Sequence, residues 1–271
     1  MSLGPFDLTG GPFLTLYAML FVIAFAASVI IPRWLRPEGR PTAGISDTAR
    51  LAYLAGGKTR FGEAVIARLL AIGAITIERS KLHIRAVQAG QGSAERSILA
   101  LPSPVSWSQV TSVIAQDAEA VEHDLVGRGL LINLATGLQM RFYQTVPYLL
   151  LLFFGTIKWE VGTMRDKPVG YLTAFLTITA IAALFRFAAL DRRTRAGLAV
   201  LRDAKLQTSR LRRAPVPEET GLAVAVYGTA VLAGSPWSNF HTMRTSDSGG
   251  GGSSDGGGCG GGGGGCGGCG G

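Results

Sequence analysis

The residues best suited to chemistry are three cysteines near the end of the chain, Cys259, Cys266 and Cys269. Cys266 and Cys269 form a CxxC pair, and thiolates are the ligands that soft ions such as Cu(I) and Zn(II) prefer. Structural zinc takes four ligands, so three sulfurs would need His241, Asp255 or a second protein molecule to complete a site. The three cysteines are therefore candidate ligands for Cu or Zn.

The chain around these cysteines is almost pure glycine. Seventeen of the 38 glycines lie at residue 249 or beyond, and we expect residues 246–271 to form a disordered tail. Ordering such a tail around a metal has a high entropic cost. Three alternatives stay open: a tail with no defined site, a soft-metal or redox-responsive segment, and a substrate of an enzyme that modifies or lipidates cysteine.

No second set of residues outlines a catalytic centre or a cofactor site. The three histidines, His83, His123 and His241, fall on separate predicted elements, and no HExxH or GxSxG motif is present. Gly56-Gly57-Lys58-Thr59 follows a predicted helix and lacks the first glycine of a phosphate loop, so a helix C-cap is the preferred interpretation. We expect no catalytic residues and no resident cofactor.

The elements that position these residues are those of a membrane protein. Hydrophobic residues make up 47% of the chain, charged residues only 16%, and the formal net charge is +8. Apolar segments predict three transmembrane helices, at residues 13–31, 142–164 and 171–190. Basic residues follow the first segment rather than precede it, which favours a retained anchor over a cleaved signal peptide. The short link before Tyr171 contains Pro and Gly and predicts a helical hairpin from the last two spans.

Basic residues also predict the orientation of the chain. The stretch 191–213, expected to be a basic helix, carries eight basic and two acidic residues. By the positive-inside rule, residues 1–12 lie outside, the C-terminus lies in the cytoplasm, and the chain is a multi-pass membrane protein. Membrane lipid is thus a partner, and attraction to anionic lipid is a better use of the basic stretch than nucleic-acid binding.

The residues between the first two spans, 32–141, predict one cytoplasmic α+β domain. A shift of 56 residues aligns Leu69 and Gly73 with Leu125 and Gly129, which suggests two tandem winged-helix-like units. Each unit would contain helices and a strand–turn–strand hairpin. The predicted helices and turns are 48–54, 60–70 and 79–81 in the first unit, with an N-cap at Asp47, and one from residue 107, 117–126 and 135–137 in the second, with an N-cap at Ser106.

The charges on this domain favour a protein partner. The second helix of the first unit is expected to expose Arg60, Glu63 and Arg68, and that of the second unit is mainly acidic. Such helices would repel phosphate, so a nucleic-acid partner is disfavoured. In segment 214–245, the apolar run from Gly221 to Gly234 is too short to span a membrane; we prefer packing on the domain to a position in the lipid interface.

The segment Leu51-Ala52-Tyr53-Leu54-Ala55-Gly56-Gly57 resembles a bacterial membrane-protein family without an assigned function. The likeness extends to Ala64–Ile77, the Lys167-Pro168-Val169-Gly170-Tyr171 entry to the last span, the segment around Val226-Tyr227-Gly228, and the Gly/Cys tail. The resemblance implies an integral inner-membrane protein and transfers no catalytic residue. It also hints at an association with iron-dependent oxidases that modify cysteines in peptides.

The sequence therefore predicts a mainly α membrane protein with three spans, a cytoplasmic domain and a thiol-bearing tail. We expect a non-enzymatic scaffold that docks a protein partner. The alternatives are a soft-metal binding or sensing protein and a partner or substrate of a cysteine-modifying enzyme. A membrane-anchored transcription regulator would need a basic recognition helix.

Overall fold

A computed structural model describes residues 10–40, 45, 47–164, 170–189, 191–212 and 216–248. Within them the chain is mostly helical, with one two-stranded hairpin. The elements in order are α1 (Gly10–Leu35), α2 (Thr48–Ala71), β1 (Ile75–Glu78), β2 (Lys81–Ile84), α3 (Ser93–Leu99), α4 (Trp107–Val113), α5 (Ala115–Gly127), α6 (Leu134–Met164), α7 (Gly170–Ala188), α8 (Arg195–Gln207), α9 (Thr220–Tyr227) and α10 (Ser238–Ser248).

Two of the described helices are long and apolar enough to cross a membrane, over Gly11–Leu35 and Gly170–Ala188. They correspond to the first and third predicted spans. The second predicted span lies within α6, which begins eight residues before it and is not among these candidates. Lys158 and Glu160 lower the hydropathy of its final third.

Helices α1, α6 and α7 form a bundle in which polar groups face inward. Tyr17 of α1 and Thr179 of α7 share a buried hydrogen bond of 3.2 Å between their hydroxyl oxygens, and Ser28 of α1 does the same with Tyr148 of α6, also at 3.2 Å. Large apolar side chains of all three helices are instead exposed, among them Ile23, Phe25, Leu150, Phe153, Ile178 and Leu184. The bundle thus exposes a large apolar surface around its core, which is not typical of a protein surrounded by water.

The helices and hairpin predicted for the first unit are present. Asp47 caps α2 by accepting from the backbone N–H of Ala49, and Gly56 and Gly57 interrupt the helix where the sequence predicts a stop. Strands β1 and β2 pair with Ile75 opposite Ile84, joined by a tight turn at residues 79–80. The likeness of this unit to a winged helix stays a prediction.

The second predicted hairpin is wrong, and with it the repeat. Ser106 caps α4 as expected, and α5 covers the predicted helix 117–126, but residues 135–137 lie in the first turn of α6 instead of a β-turn. Leu, Ala, Gln and Met in this stretch favour helix, and the helix continues without a break into the bundle. Leu131 pairs with Arg193 in an isolated bridge, so its strand partner comes from the chain after α7.

The remaining helices complete the core of the domain. The basic stretch contains α8 over Arg195–Gln207. The apolar segment forms α9, whose Val224 and Ala225 are fully buried in one core with α2. The segment therefore packs on the domain, as the preferred alternative predicts. The predicted tail starts inside α10, which ends at Ser248. Residues 249–271, including all three cysteines, lie outside the described residues.

Backbone hydrogen bonds join three chain segments, each of which adjoins one end of a bundle helix. After α7, the N–H of Thr194 donates to the carbonyl oxygen of Leu130 (3.1 Å), and the N–H of Ile132 donates to that of Arg192 (2.7 Å). The N–H of Arg195 donates to the carbonyl oxygen of Pro37, which follows α1, over 3.1 Å. We call the three segments 36–38, 130–132 and 191–196 the junction.

Candidate functional site

A half-open cavity of about 660 Å³ lies beside the junction. Its walls come from the interruption of α2, from α5, and from the adjoining ends of α6 and α7. Its basic lining residues are Lys58, Arg141, Arg192 and Arg193, and its acidic ones are Glu119, Glu122 and Asp191. This volume is in the range of small-ligand sites, so the cavity is the candidate functional site of the described chain.

Arg193 closes one wall of the cavity by capping the first half of α2. Gly56 and Gly57 depart from helical geometry. The carbonyl oxygens just before them therefore have no N–H donor one turn later in the helix. The Nε of Arg193 donates to the carbonyl oxygen of Leu54 over 2.6 Å, and its Nη2 donates to that of Ala55. The interruption at Gly56-Gly57 therefore leaves two carbonyl oxygens free to accept from Arg193, and these bonds hold the chain segment that follows α7.

Glu122 of α5 is the central acid of the cavity. Its carboxylate accepts from the Tyr53 hydroxyl and from Nη2 of Arg192, the latter over 2.7 Å. Burial alone would raise the pKa of Glu122, but these hydrogen bonds and the charges of Arg192 and Lys58 outweigh it and lower the pKa below the ordinary glutamate value. Glu122 is thus an ionised carboxylate fixed by its hydrogen bonds, and it is not a proton donor at neutral pH.

The other acids of the lining are also paired. Lys58 lies 3.2 Å from Glu119 in an exposed pair. Asp191 contacts Arg36 at 3.4 Å and Arg193 at 3.8 Å, which links the ends of α1 and α7. The pairing neutralises all three acids of the lining.

Two basic groups of the lining keep unused capacity. Arg141 has no carboxylate partner among the described residues; its guanidinium lies 5.9 Å from the centre of the Phe187 ring. The Nε of Arg192 is buried and has no hydrogen-bond partner in the part of the chain that the structure describes. A buried donor without an acceptor is costly, so this atom marks a place where an acceptor from outside the described chain would be stabilising.

The described residues contain no group of three His, Cys, Asp or Glu that could hold a metal. His123 lines the cavity, His83 lies on β2, and His241 of α10 shares a 3.1 Å hydrogen bond with Thr229, so the three histidines are separate. The predicted metal ligands Cys259, Cys266 and Cys269 lie outside the described residues, and their role stays a prediction.

The structure also corrects the expected exposure of the first unit's second helix. Glu63 is buried and accepts from Nε of Arg244 over 3.2 Å, and Arg60 donates to the carbonyl oxygen of Val224 over 3.4 Å. Helices α9 and α10 cover these positions. Sequence reasoning missed this because Arg244 lies about 180 residues away along the chain.

Sequence reasoning also missed the roles of Tyr53, Arg192 and Arg193 at the cavity. Tyr53 is part of the segment that carries the family resemblance, but its partner Glu122 is distant in sequence. The two arginines lie just after the third predicted span, where the sequence analysis uses basic residues as a signal for the orientation of the chain.

No family of known proteins, no curated protein and no solved structure matches this chain.

Proposed function

We propose that this protein is a three-span inner-membrane scaffold that holds a helical cytoplasmic domain at the membrane surface and docks a protein partner there. The observation that carries the proposal is the apolar outer surface of the bundle, which surrounds buried hydroxyl pairs. Buried hydroxyl pairs link α1 to α6 and to α7, while large apolar side chains face outward. Lipid is the environment in which this arrangement is favourable.

The same packing supports α6 as the third span. Tyr148 and Leu151 of α6 are buried against α1 and α7 in a single cluster, so α6 has to share their depth in the membrane. The side chain of Lys158 lies 5.1 Å from the centre of the Phe13 ring, near one end of the bundle, where a lysine reaches the interface. With three spans, the basic residues of the junction lie in the cytoplasm.

The junction supports a scaffold role. Backbone hydrogen bonds connect the segments adjoining all three spans to one another and to the domain. The domain is therefore held in one position relative to the bundle. Glu63 is buried and Arg60 is turned toward the carbonyl oxygen of Val224, so the second half of α2 is unsuited to reading a DNA groove, which supports a protein partner.

A second groove, of about 540 Å³, supplies a docking surface. It lies between α2, α3 and α5, with Phe61, Val65 and Val121 lining it and Asp47 and Asp117 among its charged residues. A mainly apolar surface with polar groups around it suits the side chains of a partner protein.

Membrane placement is tested by fusing alkaline phosphatase or green fluorescent protein after Gly271 in a bacterial host. We expect fluorescence without phosphatase activity, and resistance of the fusion to alkaline carbonate extraction. Phosphatase activity would contradict the orientation, and extraction by carbonate would contradict the three spans.

Docking is tested with a photo-crosslinking residue at Ala120, which lines the groove, in cells of the native host. The control carries the same residue at Arg202, which is exposed on α8. We expect a discrete cross-linked polypeptide at Ala120 alone. No product at Ala120, or the same product at both positions, would contradict docking at this surface.

A further inference from the structure

We propose that the junction cavity binds the phosphate of an anionic phospholipid headgroup. Arg192 lines this cavity, and its buried Nε has no hydrogen-bond partner in the described chain. Arg192 lies just beyond the end of α7, where the proposed spans meet the cytoplasmic surface. This inference rests on the proposed membrane placement.

The charge of the cavity suits one phosphodiester. Lys58, Arg192 and Arg193 each face an acid of the lining, but Arg141 has no carboxylate partner among the described residues. The lining therefore carries a net charge of about one positive unit, which a single phosphodiester would neutralise. The guanidinium of Arg141 and the Nε of Arg192 are donors of the kind that bind phosphate oxygens.

The interruption of α2 adds backbone donors. Because Gly56 and Gly57 are not helical, the second half of α2 begins at Lys58, and its first N–H groups have no acceptor one turn earlier. Gly56, Gly57 and Lys58 all line the cavity. A helix N-terminus favours a phosphate, and here it accompanies the unpartnered Nε of Arg192.

The depth of the cavity suits a headgroup and not a solute far from the membrane. Arg141 of α6 and Ala188 at the end of α7 line it. Trp34 near the end of α1 and Tyr143 of α6 are exposed close to this level, as aromatic residues are at the boundary between lipid and water. A lipid packed against the outer surface of the bundle would place its phosphate in the cavity and its acyl chains along α6 and α7.

The test uses the full-length protein in detergent micelles, with equal amounts of phosphatidylglycerol and phosphatidylcholine of the same acyl chains, read by native mass spectrometry. We expect the wild type to retain phosphatidylglycerol about fivefold over phosphatidylcholine. Arg141→Gln should bring this ratio close to one. Arg192→Lys, which keeps a cation beside Glu122 but removes Nε, should lower it as well.

Arg202→Gln is the matched control, because it removes one positive charge from an exposed site on α8. It should leave the lipid ratio unchanged. Equal retention of both lipids by the wild type, or an equal loss in Arg202→Gln and Arg141→Gln, would overturn the proposal. If Arg192→Lys lowers the thermal unfolding temperature, Arg141→Gln alone decides.

A second arm adds inorganic phosphate at millimolar concentration. We expect the phosphatidylglycerol occupancy to stay unchanged. Displacement of the lipid by phosphate would assign the cavity to a soluble phosphate and overturn the lipid headgroup as its ligand. Carbonate extraction of the same protein separates the two proposals, because a carbonate-resistant protein without lipid preference would contradict the lipid site alone.

Discussion

The guanidinium of Arg193 lies against the end of the first half of α2, with its Nε 2.6 Å from the carbonyl oxygen of Leu54. Arg193 follows the last bundle helix, and Leu54 precedes the Gly-Gly interruption, so this bond connects the bundle to the core of the domain. The same side chain reaches the carbonyl oxygen of Ala55. Two carbonyl groups that the interruption leaves free are satisfied by one side chain.

We expect Arg193→Ala to lower the free energy of unfolding by about 2 to 3 kcal/mol, because it removes two charge-assisted hydrogen bonds and leaves their acceptors unsatisfied. Arg193→Lys should recover only part of the loss, since an ammonium group does not have the planar fork of donors. The measurement is thermal unfolding of the full chain in micelles. Arg202→Ala on the exposed face of α8 should change stability by no more than about 0.5 kcal/mol. Equal effects at the two positions would show that Arg193 does not support the kink.

Gly57→Ala tests the interruption itself. Gly57 has φ +65° and ψ −156°, a combination that essentially only glycine adopts, and an added Cβ would meet no atom within 4 Å. The cost is therefore backbone strain alone, about 1 to 3 kcal/mol. Gly127→Ala in α5 also adds a methyl group to open space, without a positive φ, and should be neutral or stabilising. Comparable destabilisation by both changes would contradict a special role for Gly57.

The sequence predicts those parts of the fold that depend on neighbouring residues. Caps at Asp47 and Ser106, the stop at Gly56-Gly57 and the hairpin around residues 79–80 all have local causes, and all are present. The second hairpin is wrong because its prediction rests on the alignment with the first unit. Helix propensity and continuity with α6 prevail there.

The candidate site could be predicted only in part, because its pairs join distant segments. Tyr53 and Glu122 are 69 residues apart, and Arg193 and Leu54 are 139 apart. Sequence periodicity locates each residue on its element but does not give the packing of α2 against α5 or the position of the chain after α7. The basic residues after the last span were read as an orientation signal, and their hydrogen bonds show a second role.

Acid should weaken the contacts around Glu122. Its pKa is lowered in the folded protein, so its contribution to stability is fully present above about pH 4.5 and is lost as the pH falls through the lowered folded value. We expect Glu122→Gln to make the loss of stability below about pH 4.5 shallower than in the wild type. The decrease should not vanish, because Asp124, held by Arg50 and Arg128, also has a lowered pKa.

The control for Glu122 is Glu78→Gln, which alters an ion pair with Arg85 in which both side chains are more than half exposed. Thermal unfolding between pH 3 and pH 7 should give parallel curves for Glu78→Gln and the wild type. If Glu122→Gln also gave a parallel curve, Glu122 would not be held as the structure shows.

Gly155 sets the distance between the bundle helices. A Cβ at this position would lie 2.7 Å from Cδ2 of Leu176 and 2.8 Å from Cε2 of Tyr17, so a larger residue fits only if these side chains or their helices move. We expect Gly155→Val to destabilise the protein in micelles by about 1 to 3 kcal/mol through overpacking. Thr156→Val adds a β-branched apolar residue at the next, exposed position and should have little effect. A stable Gly155→Val protein would contradict the three-helix packing.

The last prediction concerns the buried ion pair that holds α10 to α2. Nε of Arg244 lies 3.2 Å from a carboxylate oxygen of Glu63, both side chains are about one-tenth exposed, and the guanidinium stacks on Trp107 with 3.9 Å to the ring centre. Removing either partner leaves the other with a weaker one, Arg60 at 3.7 Å for Glu63 or the half-exposed Asp247 at 3.2 Å for Arg244. Glu63→Gln and Arg244→Met should therefore each cost about 2 to 3 kcal/mol.

The double variant should cost less than the sum of the two single changes, because each single change already breaks the contact between Glu63 and Arg244. A double-mutant cycle on the unfolding free energy of the full chain measures this coupling. Arg210 and Glu219 provide the comparison, since they form a pair with a largely exposed arginine, whose coupling should stay below about 1 kcal/mol. Additive losses at Glu63 and Arg244 would show that α10 is held to the domain by its apolar contacts, Phe240 and Met243 in the core, and not by this ion pair.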